Sequence, residues 1–389
     1  MSSHDPLKFA SGLGAKLATR SRHVCVLLGA GVGASCGLPD VAALQASLLD
    51  SLTEPNKGAF EVQLAGRSVE EALSRLRRIA ALLADEQTID GLTGAQAVAL
   101  DREVCHLIVN ALSLDKADLK PVELFAAWVA RAEYHFPLEI FTVNYDLLLE
   151  SALESRGVPY FDGFVGNLEG SFRSELVEAN PGEREWIPAF FARLWKLHGS
   201  VNWARREDHH IVRMGYAVPE GKAAAIYPSD MKYEESRRVP FVVLADRFRR
   251  SVHQQETLLL ASGYSFGDSH LDEVVFEAAA RCERSETIAF CYGEIPEHLA
   301  ERALATPNLQ VACPTEAIIG GVRAEWGKPE DSLPGLWQDD RFALGDFRNL
   351  AAYLARSTAG SRAADQLVDE LIAAMGHAVA EQEGGPADV

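Results

Sequence analysis

The chain is predicted to be an α/β protein: a doubly wound, mostly parallel sheet with a large helical insertion and a C-terminal helical segment. Three observations predict this. Short apolar runs that end in glycine or polar residues recur along the chain, residues 24–28 and 257–262 among them, as buried strands require. Stretches with apolar residues three and four positions apart separate those runs, and strands alternating with helices imply parallel pairing. The first run passes directly into three glycines and then into a helical segment, the order of Rossmann-like sheets.

Composition sets the outer bounds. At 389 residues, with 48% hydrophobic and 24% charged positions, the chain can fill one large domain or two ordinary ones. A formal net charge of -19 repels phosphate backbones, so direct nucleic-acid binding is not expected. The N-terminal MSSHDPLKFA lacks a signal pattern, and no apolar run approaches the roughly 20 residues of a membrane span. The six cysteines are scattered without any C-x-x-C, four of them in apolar surroundings. That usage suits a reducing cytoplasm, the expected location, and offers no cysteine-type zinc site.

The elements follow in order. After the first strand come Gly29, Gly31 and Gly33, where glycine permits φ > 0 and a close approach of backbone N–H groups to a pyrophosphate. Ala34 stands in the third glycine slot, as the looser dinucleotide fingerprint allows, although the same turn also occurs in α/β folds without a dinucleotide. Residues 41–135 carry almost unbroken helical spacing: Val41, Leu44, Leu48 and Leu49 first, then 69–84 and 97–112, then Pro121 opening a helix with Leu124, Phe125, Trp128 and Val129. So long a block between two strands is a helical insertion. Strands follow at 138–143, with a helix at 147–153, and at 194–197. Residues 157–189 and 204–238 read as irregular, apart from an apolar run at 223–227. A helix at 244–255, the strand at 257–262, a helix capped by Asp268 or Ser269, and strands at 288–291 and 309–312 complete a domain placed at 1–330. Within 331–389, Ala364, Val368, Leu371, Met375 and Ala378 form a heptad-like stripe that either packs on the parent domain or builds an oligomer. Residues 383–389 read as a disordered tail.

Four strand ends carry polar clusters: 29–33, Asn144-Tyr145-Asp146, His198-Gly199-Ser200 and Gly263-Tyr264-Ser265. In a parallel sheet the carboxyl ends line the ligand crevice. Histidine titrates near neutrality and can take or relay a proton, and asparagine can hold a hydroxyl or a water without adding charge. Structural roles compete at several positions. Asp146 is equally a helix cap, and Asp268 a cap or packing residue. Trp195 and Trp203 read as packing. The groups Arg75/Arg77/Arg78, Arg237/Arg238 and Arg247/Arg249/Arg250 read as solvated helix faces, and His209-His210 as solvated loop.

In this order, GAGVGASCGLPD, TVNYDLLLE, KLHGSVNW and SGYSFGDSHLDE resemble the motifs of the sirtuin-like NAD-binding family over residues 22–295, most closely its bacterial non-deacetylase branch found among anti-phage defence proteins. The resemblance implies a sirtuin-like fold with NAD as substrate. Gly29, Ala30 and Gly31 would wrap the pyrophosphate, with Gly33, Pro39 and Asp40 completing that motif. Asn144 and Asp146 match the family's asparagine and aspartate, His198 its catalytic histidine, and Gly263 and Ser265 its adenosine contacts. The departures are informative. The cysteine pairs that hold zinc in the deacetylases are absent, Val41 and Ala42 stand where those enzymes carry phenylalanine and arginine, and Gly33 replaces a common serine. No zinc is expected, and water is a simpler acceptor than acyl-lysine. The implied activity is cleavage of NAD to nicotinamide and ADP-ribose through an oxocarbenium-like transition state, with Asn144 holding ribose hydroxyls or water, His198 as base and Asp146 orienting them. The resemblance further implies an abortive-infection effector restrained by assembly, as a homo-oligomer or with a HerA-like hexameric ATPase. The alternatives are an NAD or ADP-ribose sensor without turnover, and a zinc-free deacylase or ADP-ribosyltransferase.

Overall fold

The computed structural model describes residues 3–83, 87–178, 192–206, 210–218, 224–226, 239–282, 284–330 and 333–357. The main sheet has nine strands: β1 (His23–Leu28), β2 (Glu139–Thr142), β3 (Tyr160–Phe161), β4 (Ala192–Lys196), β5 (Thr257–Ser262), β6 (Glu286–Phe290), β7 (Leu309–Ala312), β8 (Glu316–Ile319) and β9 (Val322–Glu325). Their order is β9-β8-β7-β6-β5-β1-β2-β4-β3. Pairing is parallel except for β7–β8 and β8–β9. This is the predicted doubly wound, mostly parallel α/β architecture.

Its strands read as continuous apolar runs because both faces are covered. In β1, Val24, Val26 and Leu28 enter one core while Cys25 and Leu27 enter the other, and β5 divides Leu258 and Leu260 from Leu259 and Ala261 in the same way. The chain leaves β1 toward β2 on one side and returns through β5 on the other. That reversal opens a crevice above β1 at the strands' carboxyl ends.

The insertion is helical as predicted: Val41–Ser51, Asn56–Leu64, Val69–Leu82, Gly94–Ala111, a 3-10 turn at Leu114–Lys116, and Lys120–Val129. Capping boxes at Ser68/Glu71 and Thr93/Gln96 fix two of its starts. The last helix lies under the C-terminal helix Phe347–Ser357, with the Phe125 and Phe347 rings 5.8 Å apart. The stripe from Ala364 to Ala378 and the tail lie outside the described residues.

Two expectations need correction. The stretches read as irregular contribute strands to a second, antiparallel sheet with the order Phe164–Val165, Glu169–Phe172, Ile211–Met214, Gly199–Arg205, Ala224–Ile226. Its strands are two to seven residues long, several too short for a period-2 pattern to emerge. Arg247, read as solvated, is buried at the sheet's amino end. There Glu139 accepts from Arg247 Nε at 3.0 Å, Trp195 Nε1 at 2.8 Å and Ser251 Oγ at 3.1 Å. Burial first, then Arg247 and Arg193, pushes His23 beside this cluster down to about 3. Arg249 and Arg250 are exposed and pair with Asp246. Trp195 and Trp203 are buried in packing, whereas Arg237, Arg238 and His209 lie outside the described residues.

Candidate active site

A cleft of about 1130 Å³ sits at the carboxyl ends of β1, β2 and β5. Ala30, Gly31, Gly33, Pro39, Asp40, Asn144, Asp146, His198, Gly263 and Ser265 all line it. Gly29 stands one residue behind, as the N-cap of a short helix, Ala30–Ser35. The glycine stretch is therefore already helical, rather than a turn preceding the helix at Val41.

The glycines serve a purpose the sequence did not disclose. Gly29 N–H donates to Ser262 O at 3.1 Å and Gly31 N–H to Gly263 O at 2.9 Å, clasping the loops after β1 and β5 together. A Cβ on Gly31 would lie 2.6 Å from Gly263 Cα, and one on Gly263, whose φ is +63°, would lie 2.8 Å from Val32 N. Close packing of two backbones, not left-handed φ, demands Gly29 and Gly31. At Gly33 a Cβ would find ordinary contact, 3.6 Å from Asp146 Oδ2, so a small side chain fits there. Asp40 caps the helix Val41–Ser51 by accepting from Ala43 N–H at 2.8 Å.

Asn144 follows β2 and donates through Nδ2 to Gly29 O at 2.9 Å, fixing its amide against the glycine helix. His198 occupies the turn between β4 and Gly199–Arg205, where Gly199 adopts a φ of +94°. Its Nε2 lies 3.3 Å from Asp268 Oδ2. Burial pushes Asp268 upward, but the bond and charge of His198, with the N–H groups of His270 and Leu271, outweigh it and hold the carboxyl down at about 2. Asp268 caps the helix Ser269–Arg281, as predicted, and also pairs with the imidazole, a role the sequence did not reveal. Its place in SGYSFGDSHLDE was the only available signal, because a separation of 70 positions hides the contact.

Asp146 is buried and accepts from Leu148 N–H at 3.1 Å, but the N-cap of the helix Leu148–Ser155 is Leu147, which makes no side-chain cap bond, so Asp146 is not the cap expected from sequence. Burial raises its pKa, opposed by Lys196. The carboxylate beside the imidazole is thus Asp268. Beneath the Gly263–Asp268 loop, Tyr264 donates to Asp272 Oδ1 at 2.7 Å, and His298 Nε2 lies 2.8 Å from Phe266 O. Burial raises Asp272 to about 6.

The cleft extends in two directions. Toward the insertion its wall is apolar, with Val41, Leu44, Val69, Leu73, Ile108 and Leu112, and Tyr145 donates to Glu70 there at 3.4 Å. Toward β6 it is bounded by Tyr292 and Glu294 and by 345–348 of the C-terminal segment. Among the described residues, no group of three or more His, Cys, Asp or Glu side chains is placed to hold a metal ion.

The geometry defines a nucleotide-type crevice of a doubly wound fold, equipped with an amide and a carboxylate-paired imidazole. The family model for a SIR2-like domain matches residues 138–312, from the edge of β2 through β7, and supports a sirtuin-like, NAD-related protein. That match leaves out β1 and its glycine helix. No curated protein matches the chain.

Proposed function

We propose that the protein is an NAD glycohydrolase. The observation that carries this reading is the His198–Asp268 pair opening onto the same cleft as Asn144 and the glycine helix. The cleft volume of about 1130 Å³ accommodates a dinucleotide, whose phosphates would lie along 30–33 and whose adenosine would lie toward Gly263 and Ser265. The bond between ribose C1′ and the nicotinamide nitrogen breaks with its electron pair leaving on nicotinamide. A water oxygen then bonds to C1′, and its proton passes to His198, whose imidazolium Asp268 stabilises. Asn144 holds a ribose hydroxyl or the water. The products are nicotinamide, ADP-ribose and a proton. In this reading the protein is an anti-phage effector that depletes NAD, restrained by self-assembly or by a HerA-like ATPase.

Purified protein incubated with NAD tests it. We expect free nicotinamide, and loss of turnover by about 100-fold or more in N144A and H198A with the fold retained. Wild-type NAD consumption by either variant would falsify the assignment. ADP-ribose binding without nicotinamide release under any activating condition would point to a sensor. Release that requires an acylated peptide would point to a deacylase.

A further inference from the structure

Lys196, the last residue of β4, has a side chain only 3% exposed, and its ammonium lies among groups of the Asn144 loop. It donates to the Asp146 carbonyl and pairs with Glu150 Oε1 at 3.0 Å. The residues that follow it bind carbonyls at the end of β2 and in the same loop. Leu197 N–H donates to Thr142 O at 2.9 Å, and Val201 N–H to Tyr145 O at 2.9 Å. The Ser200 hydroxyl adds a second bond to Tyr145 O at 3.2 Å. His198 lies in this stretch, at the turn that carries the chain from the main sheet into the second one, and Asn144 in the loop, so one short stretch of chain sets the separation of imidazole and amide.

A buried ammonium is costly, and a well-packed apolar residue can usually replace one member of an ion pair once the other is neutralised. What an apolar residue cannot do is donate to the Asp146 carbonyl, where the loop enters the helix Leu148–Ser155. Glu150 meets Lys196 through Oε1, while its buried Oε2 has no hydrogen-bond partner among the described residues.

We propose that Lys196 is a positioning residue that locks the loop 144–146 onto the turn that carries His198, so that amide and imidazole address the same ribose, with Glu150 anchoring the ammonium. This rests on reading the cleft as the NAD-hydrolysing site.

The test compares wild type, E150Q, K196M and K196M/E150Q. The double variant removes both members of the ion pair, so it separates lost positioning from an unpaired Glu150 carboxylate. We expect it to melt near the wild-type temperature and to bind ADP-ribose within about threefold. Its kcat should fall about 10–100-fold with little change in KM, and by more than that of E150Q, which keeps the lysine's bond to the Asp146 carbonyl. Amide exchange should accelerate only across 143–148. Wild-type kcat in K196M/E150Q overturns the proposal, as does loss of its folded state, because the lysine would then be holding the core. If the wild type itself releases no nicotinamide, the hydrolytic reading fails. Accelerated exchange at 143–148 would then still sustain the positioning role, and unchanged exchange would overturn it.

Discussion

Asp268 is where residue identity and residue role diverge most. It is a helix cap by local sequence and the imidazole's partner by tertiary contact. D268N keeps an oxygen for the cap but loses the charge that stabilises an imidazolium. We expect kcat for NAD to drop about 100-fold or more, with ADP-ribose binding and melting temperature largely retained. A different consequence follows at Asp272. Burial raises its carboxyl from 3.8 to about 6, so the folded state holds a proton there that the unfolded state has already released. The stability this contributes is complete below pH 3.8 and is lost as pH rises through about 6. Urea unfolding at about pH 4 and about pH 7 should therefore show wild type losing more stability across the interval than D272N, which cannot ionise. Equal losses would contradict it. His198 and Asn144 were legible because each ends a predicted strand in a compact motif; Asp268 as a partner was not, since the contact joins loops that follow different strands.

The short helix Ala30–Ser35 stands where the sequence predicts a glycine turn. Strand, glycines and helix were all readable in sequence, yet the constraint on Gly31 comes from the backbone of Gly263. Two alanine substitutions separate these ideas. G31A drives a Cβ into Gly263 and should destabilise the protein by about 1–3 kcal/mol while weakening ADP-ribose binding. G33A meets open contact distance and should change stability by less than about 1 kcal/mol. Similar thermal shifts for the two would remove the clasp as an explanation. The antiparallel sheet beside the site escaped sequence reading for a related cause: its register is set by partners such as Ser171 opposite Val212, not by local alternation.

At the scale of the molecule, the segment after residue 330 is bound into the core. Phe347, Leu350, Ala351, Leu354 and Ala355 are buried, and Gly345 brings its backbone against Cys291 where the cleft ends. A chain ending at Thr358 should therefore fold and bind ADP-ribose, whereas one ending at Glu330 should lose both. Light scattering on the longer truncation also tests the stripe from Ala364 to Ala378: an unchanged assembly state removes it as an oligomer contact. The sequence by itself determined the parallel α/β class, the position of most strands of the main sheet, the helical insertion and the strand-end motifs. Those follow from burial periodicity and turn chemistry, which act over a few residues. Only the tertiary structure decided that Asp268 faces His198, that Lys196 holds the Asn144 loop, that two glycine loops clasp, and that Arg247 is buried on Glu139. Each of these joins residues brought together by the order of β5, β1, β2 and β4 in the sheet, and no local pattern encodes which loops will meet there.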